Sequence, residues 1–207
     1  MLRKLVFIGF LLPAVAVGQV RVATAPPLTD KALSYRDSHY GVRFQVPTGW
    51  KVTRKDHQIS TFRLDARSAD SRAQMRAVAS LDFNPFPLST LSGATFYYSV
   101  EKHSTDSDCE REAIHFGANA GEIRDIDGMN FVHGHDEHGH FCVEARDEIY
   151  TAIRKGSCYR FDLVINTFCS ETSGAEELSE EQMKDIEGRM EGILSTVIFD
   201  WEKSGRR

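Results

Sequence analysis

Residues Phe141–Cys169 read FCVEARDEIYTAIRKGSCYRFDLVINTFC, and the fold prediction starts from this segment. Two runs rich in aromatic and β-branched residues, Phe141–Ile153 and Ser157–Phe168, flank Lys155-Gly156, a pair typical of a tight turn. The stretch therefore predicts two long antiparallel strands joined as a hairpin. Large apolar side chains occur on both faces of the second strand, so we expect both faces of the sheet to be at least partly covered: Tyr159, Phe161, Leu163 and Ile165 on one face, Val164 and Phe168 on the other.

The register of the same hairpin also limits how the cysteines can pair. The chain has four: Cys109, Cys142, Cys158 and Cys169. Four cysteines allow three pairings. If Arg154 pairs with Ser157, the antiparallel register places Cys142 opposite Cys169, at a separation that suits a disulfide, and leaves Cys109 for Cys158. A one-residue bulge would change this register. The alternative is a redox or metal centre, but the chain has no Cys-x-x-Cys motif, and we predict two structural disulfides.

Outside the hairpin, the chain alternates short β-prone runs with few helical patterns. The predicted strands are Tyr40–Pro47, Trp50–Val52, Ser60–Ala66, Ala77–Phe83, Ala94–Val100, Glu122–Ile126, Met129–Val132 and a closing segment at Ile198–Trp201. A short helix capped at Ser107 or Asp108 is expected to end near Phe116. This order is not a regular βαβ alternation.

The clearest helical pattern comes near the end of the chain. Ser179 and Gln182 have the spacing of a capping box. Apolar residues then recur at helical spacing and predict an amphipathic helix, namely Met183, Ile186, Met190, Ile193, Leu194 and Val197. We therefore predict an α+β fold, a mainly antiparallel β-sheet packed by helices.

The N-terminus has the organisation of a secretory signal peptide. Arg3 and Lys4 precede an apolar stretch, Leu5–Val17, and the small residues of Ala16-Val17-Gly18 predict cleavage before Gln19. The residue directly after the predicted cleavage site is Gln19 and not a cysteine, which argues against a lipid anchor. The expected organisation is a signal peptide at 1–18, a flexible leader at 19–33, one globular domain at 34–202 and a tail at 203–207. The predicted location is the periplasm or the extracellular medium of a bacterium.

Charge and hydropathy exclude some partners. Cleavage would leave 23 basic against 30 acidic residues, a formal charge of −7, which disfavours nucleic acid and anionic membranes. No second apolar run of about 18 residues follows, so no transmembrane segment is expected after cleavage. The expected partner is an envelope protein or a small ligand.

The phrase YGVRFQVPTGWKV at Tyr40–Val52 resembles the opening hairpin of the PsbP/Mog1-like superfamily. Three later stretches, Leu91–Val100, Lys155–Thr167 and Met190–Phe199, are similar to uncharacterised exported bacterial proteins with the same layout. The resemblance implies an antiparallel sheet between helices, as in an α/β/α sandwich. It also implies a non-catalytic binding or accessory role, without a particular ligand or functional residue.

One segment concentrates groups that can bind a metal. His133–His140 reads HGHDEHGH and contains four of the eight histidines. If Asp136-Glu137 is a two-residue turn, the four imidazoles lie on one side of a hairpin, with Asp136 or Glu137 as an added oxygen ligand. Nitrogen ligands suit Zn²⁺, Cu²⁺ or Ni²⁺. The alternatives are a solvated loop without a specific role and a pH-sensing cluster. The predicted metal ligands are His133, His135, His138 and His140.

No catalytic motif assigns an enzymatic activity. The chain lacks His-Glu-x-x-His, Gly-x-Ser-x-Gly, a phosphate-binding glycine loop and a dinucleotide fingerprint. We therefore predict a secreted, non-enzymatic binding or accessory protein of the bacterial cell envelope, without a cofactor. The alternative is a divalent-metal-binding protein, or a metal-dependent hydrolase, that uses the histidine cluster with Zn, Cu or Ni.

Overall fold

In the computed structural model, the predicted hairpin lies in the middle of a seven-stranded sheet. The structure describes residues 32–53, 73–114 and 121–201. The predicted signal peptide, most of the predicted leader and the predicted strand Ser60–Ala66 lie outside these residues.

Neighbouring strands of the large sheet are all antiparallel. In spatial order they are β3 (Trp50–Thr53), β4 (Gln74–Leu81), β5 (Leu91–Lys102), β9 (Ser157–Phe168), β8 (Val143–Arg154), β7 (Met129–His140) and β6 (Glu122–Ile126). A second antiparallel sheet has three strands in the order β1 (Leu33–Asp37), β2 (Val42–Val46) and β10 (Ile198–Phe199). Strand β1 begins at Leu33, the last residue of the predicted leader.

The register of the hairpin is the predicted one. Arg154 pairs with Ser157, and the turn residues Lys155 and Gly156 have φ angles of 49° and 70°. Two positive φ angles in succession are characteristic of the tight turns that match the twist of a hairpin. Disulfides join the cysteines in the pairing that this register predicts: Cys142 to Cys169, with Cα atoms 4.7 Å apart, and Cys109 to Cys158, at 5.5 Å.

Three helices complete the described fold: α1 (Asp106–Ala113), α2 (Ser170–Ser173) and α3 (Glu180–Leu194). Helix α1 is capped by Thr105, which accepts a hydrogen bond from the Asp108 N–H, so the predicted cap at Ser107 or Asp108 is wrong by two or three residues. Helix α2 is a single turn of polar residues that follows β9. Helix α3 begins at the capping box of Ser179 and Gln182.

The core lies between one face of the large sheet and the layer formed by the small sheet and α3. Phe161 of β9 stacks on Tyr98 and Phe96 of β5, at centroid distances of 5.2 and 5.7 Å. Phe44 of β2 meets the Phe96 ring edge-on at 5.3 Å. Helix α3 adds its buried apolar side chains to this cluster: Met183, Ile186, Met190, Ile193 and Leu194.

Helix α1 packs on the opposite face of the sheet. Cys158 and Tyr159 are consecutive in β9 and so face opposite sides; Tyr159 belongs to the core, and Cys158 is bonded to Cys109 of α1. The large sheet therefore lies between α1 and α3, and the fold is α+β. Neither helix is both long and apolar enough to cross a membrane, and the same holds throughout the described ranges.

A buried ion pair holds α1 against the sheet. Arg160 of β9 is 4% exposed and donates to Glu112 of α1 at 2.7 Å and to Asp162 at 2.7 Å. Burial alone would lower the pKa of Arg160, but Asp162, Asp147 and Glu112 raise it by more, so the guanidinium stays charged. Removing the carboxylate of Glu112 or of Asp162 would leave the buried positive charge of Arg160 only partly compensated.

We expect Gly134→Ala to destabilise the fold, because a Cβ at Gly134 of β7 would overlap the backbone carbonyl of Ala113 in α1. A rigid backbone cannot yield as a side chain does, so the free energy of unfolding should fall by about 1–3 kcal/mol or more in urea titrations. Gly188→Ala on α3 is the matched control. A Cβ there meets no atom within 4 Å, and the helix should gain about 0.5–1 kcal/mol. Equal effects of the two substitutions would contradict the close approach of α1 to β7.

Candidate functional site

The histidine-rich segment lies within one continuous strand and does not form a hairpin of its own. Strand β7 pairs with β8 without interruption from Val132 to His140, so the predicted turn at Asp136-Glu137 is wrong. The chain turns instead at Phe141 and Cys142, whose φ angles are 54° and 92°. Positive φ angles are uncommon in residues other than glycine. Here the long pairing with β8 and the disulfide of Cys142 to Cys169 hold the turn in place.

A continuous strand divides the four histidines between two faces. Period-two alternation places positions 133 and 135 on the face that carries α3 and positions 138 and 140 on the opposite face. The arrangement of four imidazoles on one side of a hairpin is therefore wrong. The side chains of His138 and His140 lie outside the description, and the metal site stays a prediction. Among the side chains that the structure describes, no three of His, Cys, Asp or Glu are grouped to hold a metal.

His133 and His135 converge on one carboxylate, that of Glu148. His133 Nε2 lies 2.6 Å from Glu148 Oε2, and His135 Nδ1 lies 2.6 Å from Glu148 Oε1. The register brings them together, because His135 pairs directly with Glu148 and His133 pairs with Tyr150. The His133 ring stacks on the Tyr150 ring, with centroids 4.5 Å apart and planes 7° from parallel.

The network continues from Tyr150 to helix α3. The Tyr150 hydroxyl donates to Glu191 Oε1 at 2.7 Å, and Arg124 of β6 donates to the same oxygen at 3.1 Å. Arg124 also donates to the Tyr150 hydroxyl oxygen at 3.3 Å. Four strands, β6 to β9, and α3 thus surround a cavity of about 160 Å³, whose walls are Arg124, His133, Glu148, Tyr150, Leu163, Glu187, Met190 and Glu191.

The environment keeps these groups in defined charge states. Burial raises the pKa of Glu148, but hydrogen bonds and charge from His133 and His135 lower it by more, so the net shift is downward. Burial and the neighbouring Glu191 raise the pKa of Tyr150. Glu148 is therefore an anion near neutral pH, and Tyr150 remains a hydrogen-bond donor.

A larger cavity, of about 400 Å³, lies further along β8, beside the disulfide of Cys142 and Cys169. Glu144 and Arg146 of β8 line it, and Arg146 forms an ion pair with Glu137 of β7 at 3.1 Å. The remaining walls are Thr90, Thr167, Phe168, Cys169, Ser170, Glu171, Glu177, Leu178 and Met183.

One row of β8 side chains, Glu144, Arg146, Glu148 and Tyr150, thus lines both cavities, and we name it the β8 row. These alternate residues share a face and extend over about 20 Å. The row offers carboxylates, a guanidinium and a phenol to a bound molecule. None of these four residues was predicted from the sequence, although the alternation Glu-x-Arg-x-Glu-x-Tyr within a predicted strand is a signal that could have identified them.

Comparison with known proteins supports the fold and leaves the site unassigned. No protein-family model and no curated protein matches the chain. The solution structure of cyanobacterial PsbP (CyanoP) from Synechocystis sp. PCC 6803 is similar, with a TM-score of 0.50 and 14% identity over 86% of this chain and 98% of that one. The fold is therefore PsbP-like, and the resemblance seen in the sequence is confirmed.

Two further solved structures are more distant. LpqN, described as involved in cell envelope biogenesis of Mycobacterium tuberculosis, has a TM-score of 0.46 and 8% identity over 83% of this chain and 92% of that one. A protein from Bacteroides thetaiotaomicron VPI-5482 has a TM-score of 0.43 and 7% identity over 79% of this chain. This chain spans 46% of the Bacteroides protein's length.

We expect Glu148→Gln to lower stability at pH 7 by about 1 kcal/mol or more, since it removes a charge that accepts two hydrogen bonds. The substitution should also make the free energy of unfolding depend less on pH in the acidic range. The folded-state pKa of Glu148 is lowered, so its stabilisation is present above the unfolded pKa and is lost as pH falls through the folded pKa. Urea unfolding at pH 7 and at pH 3 should therefore show a smaller difference for the variant than for the wild type. Glu110→Gln, on the exposed side of α1, is the control, and identical profiles for both variants would contradict the network.

Proposed function

We propose that this chain is an exported, non-enzymatic accessory protein of the bacterial cell envelope, and that it binds a ligand in the cavity beside the β8 row. The observation that carries the proposal is the cavity of about 400 Å³ between β8, β9 and the segment that leads into α3. Ligand sites in proteins are concave and commonly hold about 300–1,000 Å³. The PsbP-like fold suits such a role, although fold alone does not assign a function.

Export is the second part of the proposal. The sequence of Met1–Gly18 has the charge, apolar length and small residues of a cleavable signal peptide. All four cysteines are paired, and disulfides persist in oxidising compartments outside the cytoplasm. The two features support a location in the periplasm or the extracellular medium.

The walls of the cavity indicate the chemistry of the ligand. Its charged side chains are three glutamates, Glu144, Glu171 and Glu177, and one arginine, Arg146, whose charge is paired with Glu137. Apolar wall surface comes from Phe168, Leu178 and Met183. A negative potential beside apolar surface favours a ligand with a positive group and an apolar part. A lysine- or arginine-bearing peptide segment has this chemistry.

The alternative, a divalent-metal-binding protein, depends on the sequence of His133–His140 alone. The described part of that cluster, His133 and His135, is bonded to Glu148 and contributes to the polar network. A binding role for the cavity is therefore the hypothesis that more of the geometry supports.

We expect the mature chain to bind the tripeptide amide Lys-Leu-Lys at one saturable site in isothermal titration calorimetry, and to bind Glu-Leu-Glu more weakly. The double variant Glu171→Gln/Glu177→Gln should lose affinity for the lysine peptide by about tenfold, because two of the three wall carboxylates are neutralised. The variant Glu180→Gln/Glu181→Gln makes the same charge change on exposed residues of α3 and should bind as the wild type does. Equal affinity for the two peptides would contradict the proposed ligand chemistry.

Export has a direct test in a bacterial host. The full-length chain should reach the periplasm or medium, and intact-protein mass spectrometry should show a mature form that begins at Gln19. Ala16→Arg places a charged residue where the peptidase needs a small one, and this variant should accumulate uncleaved. An uncleaved wild-type chain confined to the cytoplasm would refute the export.

A further inference from the structure

A third cavity, of about 200 Å³, lies at the other end of β8, where the hairpin turns into β9. Its walls come from the turn and from residues at either end of the described chain: His39, Tyr40, Arg154, Lys155, Ser157, Tyr159 and Trp201. Arg154 lies ten positions along β8 from Glu144, which corresponds to about 34 Å of extended strand. The walls of this cavity also share no residue with those of either cavity beside the β8 row, so it is distinct from both.

Arg154 differs from the other described arginines in its partner. Eight of the nine arginines in the described ranges lie within 3.7 Å of a carboxylate oxygen. Arg154 is the exception in those ranges, because its guanidinium lies over the Trp201 ring, 3.9 Å from the ring centroid. An arginine stacked on an aromatic ring keeps its N–H edge for another acceptor.

The platform under Arg154 is held on several sides. Trp201 stacks on Phe199 with centroids 4.6 Å apart and planes 3° from parallel, and it meets Tyr159 edge-on at 5.2 Å. Phe199 and Tyr159 both belong to the core. The guanidinium is thus positioned before any ligand arrives, which reduces the entropy that binding would cost.

The other polar walls of the cavity can also donate hydrogen bonds to an anion. Lys155 is exposed at the turn, Ser157 supplies a hydroxyl, and His39 adds an imidazole. No carboxylate belongs to the described walls of the cavity. In a chain with a formal charge of −5, a cavity lined by an arginine, a lysine and a histidine is a local reversal of charge.

Nearby carboxylates are already engaged by other cations. Asp37 accepts a hydrogen bond from Arg76 at 2.7 Å and another from the His39 backbone N–H at 2.9 Å. Asp200 forms ion pairs with Arg43 at 3.2 Å and Arg36 at 3.7 Å. The positive groups of the cavity therefore retain their attraction for an external anion.

We propose that this cavity binds a phosphate group, either as inorganic phosphate or as a phosphomonoester. A guanidinium fork, an ammonium and a hydroxyl together match the several oxygens and the double negative charge of phosphate. The cavity is larger than one phosphate ion, and the aromatic walls of Tyr40 and Tyr159 leave room for a small organic group. This site is independent of the ligand proposed for the β8 row.

The test uses the mature chain and its intrinsic tryptophan fluorescence, which comes from Trp201, directly under Arg154, and from the buried Trp50. Titration with sodium phosphate and with O-phosphoserine, at an ionic strength held constant with sodium chloride, should give a saturable change for at least one probe. Tighter binding of O-phosphoserine would identify a phosphomonoester site, and equal binding would identify a site for phosphate itself. No saturable change below about 20 mM of either probe would overturn the proposal, since a charge-assisted site should bind more tightly than the ~1 mM range.

Variants assign the binding to the cavity. Arg154→Gln should weaken affinity at least about tenfold for whichever of the two probes binds more tightly, because it removes one charge-assisted hydrogen-bond pair. Lys155→Gln lies at an exposed turn, leaves the Arg154–Trp201 stack in place and should weaken affinity several-fold. Arg189→Gln, on the exposed side of α3, is the matched control and should bind as the wild type does. Equal affinity in Arg154→Gln, Lys155→Gln and Arg189→Gln would also overturn the proposal, whatever the effect of Arg154→Gln on folding.

Discussion

Strand β9 is the element on which the rest of the molecule depends, because it is paired on both edges and buried on both faces. Every residue from Cys158 to Asn166 is buried, between β5 on one side and β8 on the other. One face supplies Phe161 to the aromatic core, and the opposite face supplies Arg160 and Asp162 to a buried ion pair. A shift in the register of β9 would disrupt the aromatic packing on one face and the buried ion pair on the other, so both faces restrict the register.

That register also determines the chemistry of the surfaces around it. The pairing of β8 with β9 places Cys142 next to Cys169 and Cys158 under α1, so the two disulfides join the sheet to its neighbours. The pairing of β8 with β7 places His133 and His135 beside Glu148. The bonds that stabilise the domain and the groups that can recognise a ligand therefore follow from the same strand alignment.

Charge is distributed unevenly along β8. At one end Glu144 lies with Glu171 and Glu177 around the largest of the three cavities, and at the other end Arg154 and Lys155 line a cavity without a carboxylate in its described walls. Between them, His133, Glu148 and Tyr150 form a hydrogen-bonded network that reaches Glu191 of α3. The two proposed binding sites therefore differ in charge and lie at opposite ends of one strand.

Features that depend on residues close together in the chain could be predicted from the sequence. The turn residues Lys155-Gly156 and the alternation along two strands predicted the hairpin, its register and the cysteine pairing. The spacing of Ser179 and Gln182 predicted the start of α3. The sequence at Tyr40–Val52 indicated the PsbP-like fold. The remaining features depend on contacts between distant parts of the chain. The turn at Phe141 and Cys142 needs two positive φ angles that no local preference predicts. Because the chain turns there, β7 continues to His140, and its alternation places positions 133 and 135 on one face and positions 138 and 140 on the other. Tyr150 with Glu191 and Arg154 with Trp201 come from distant parts of the chain, so only the packing of helix and strands on the sheet brings them together.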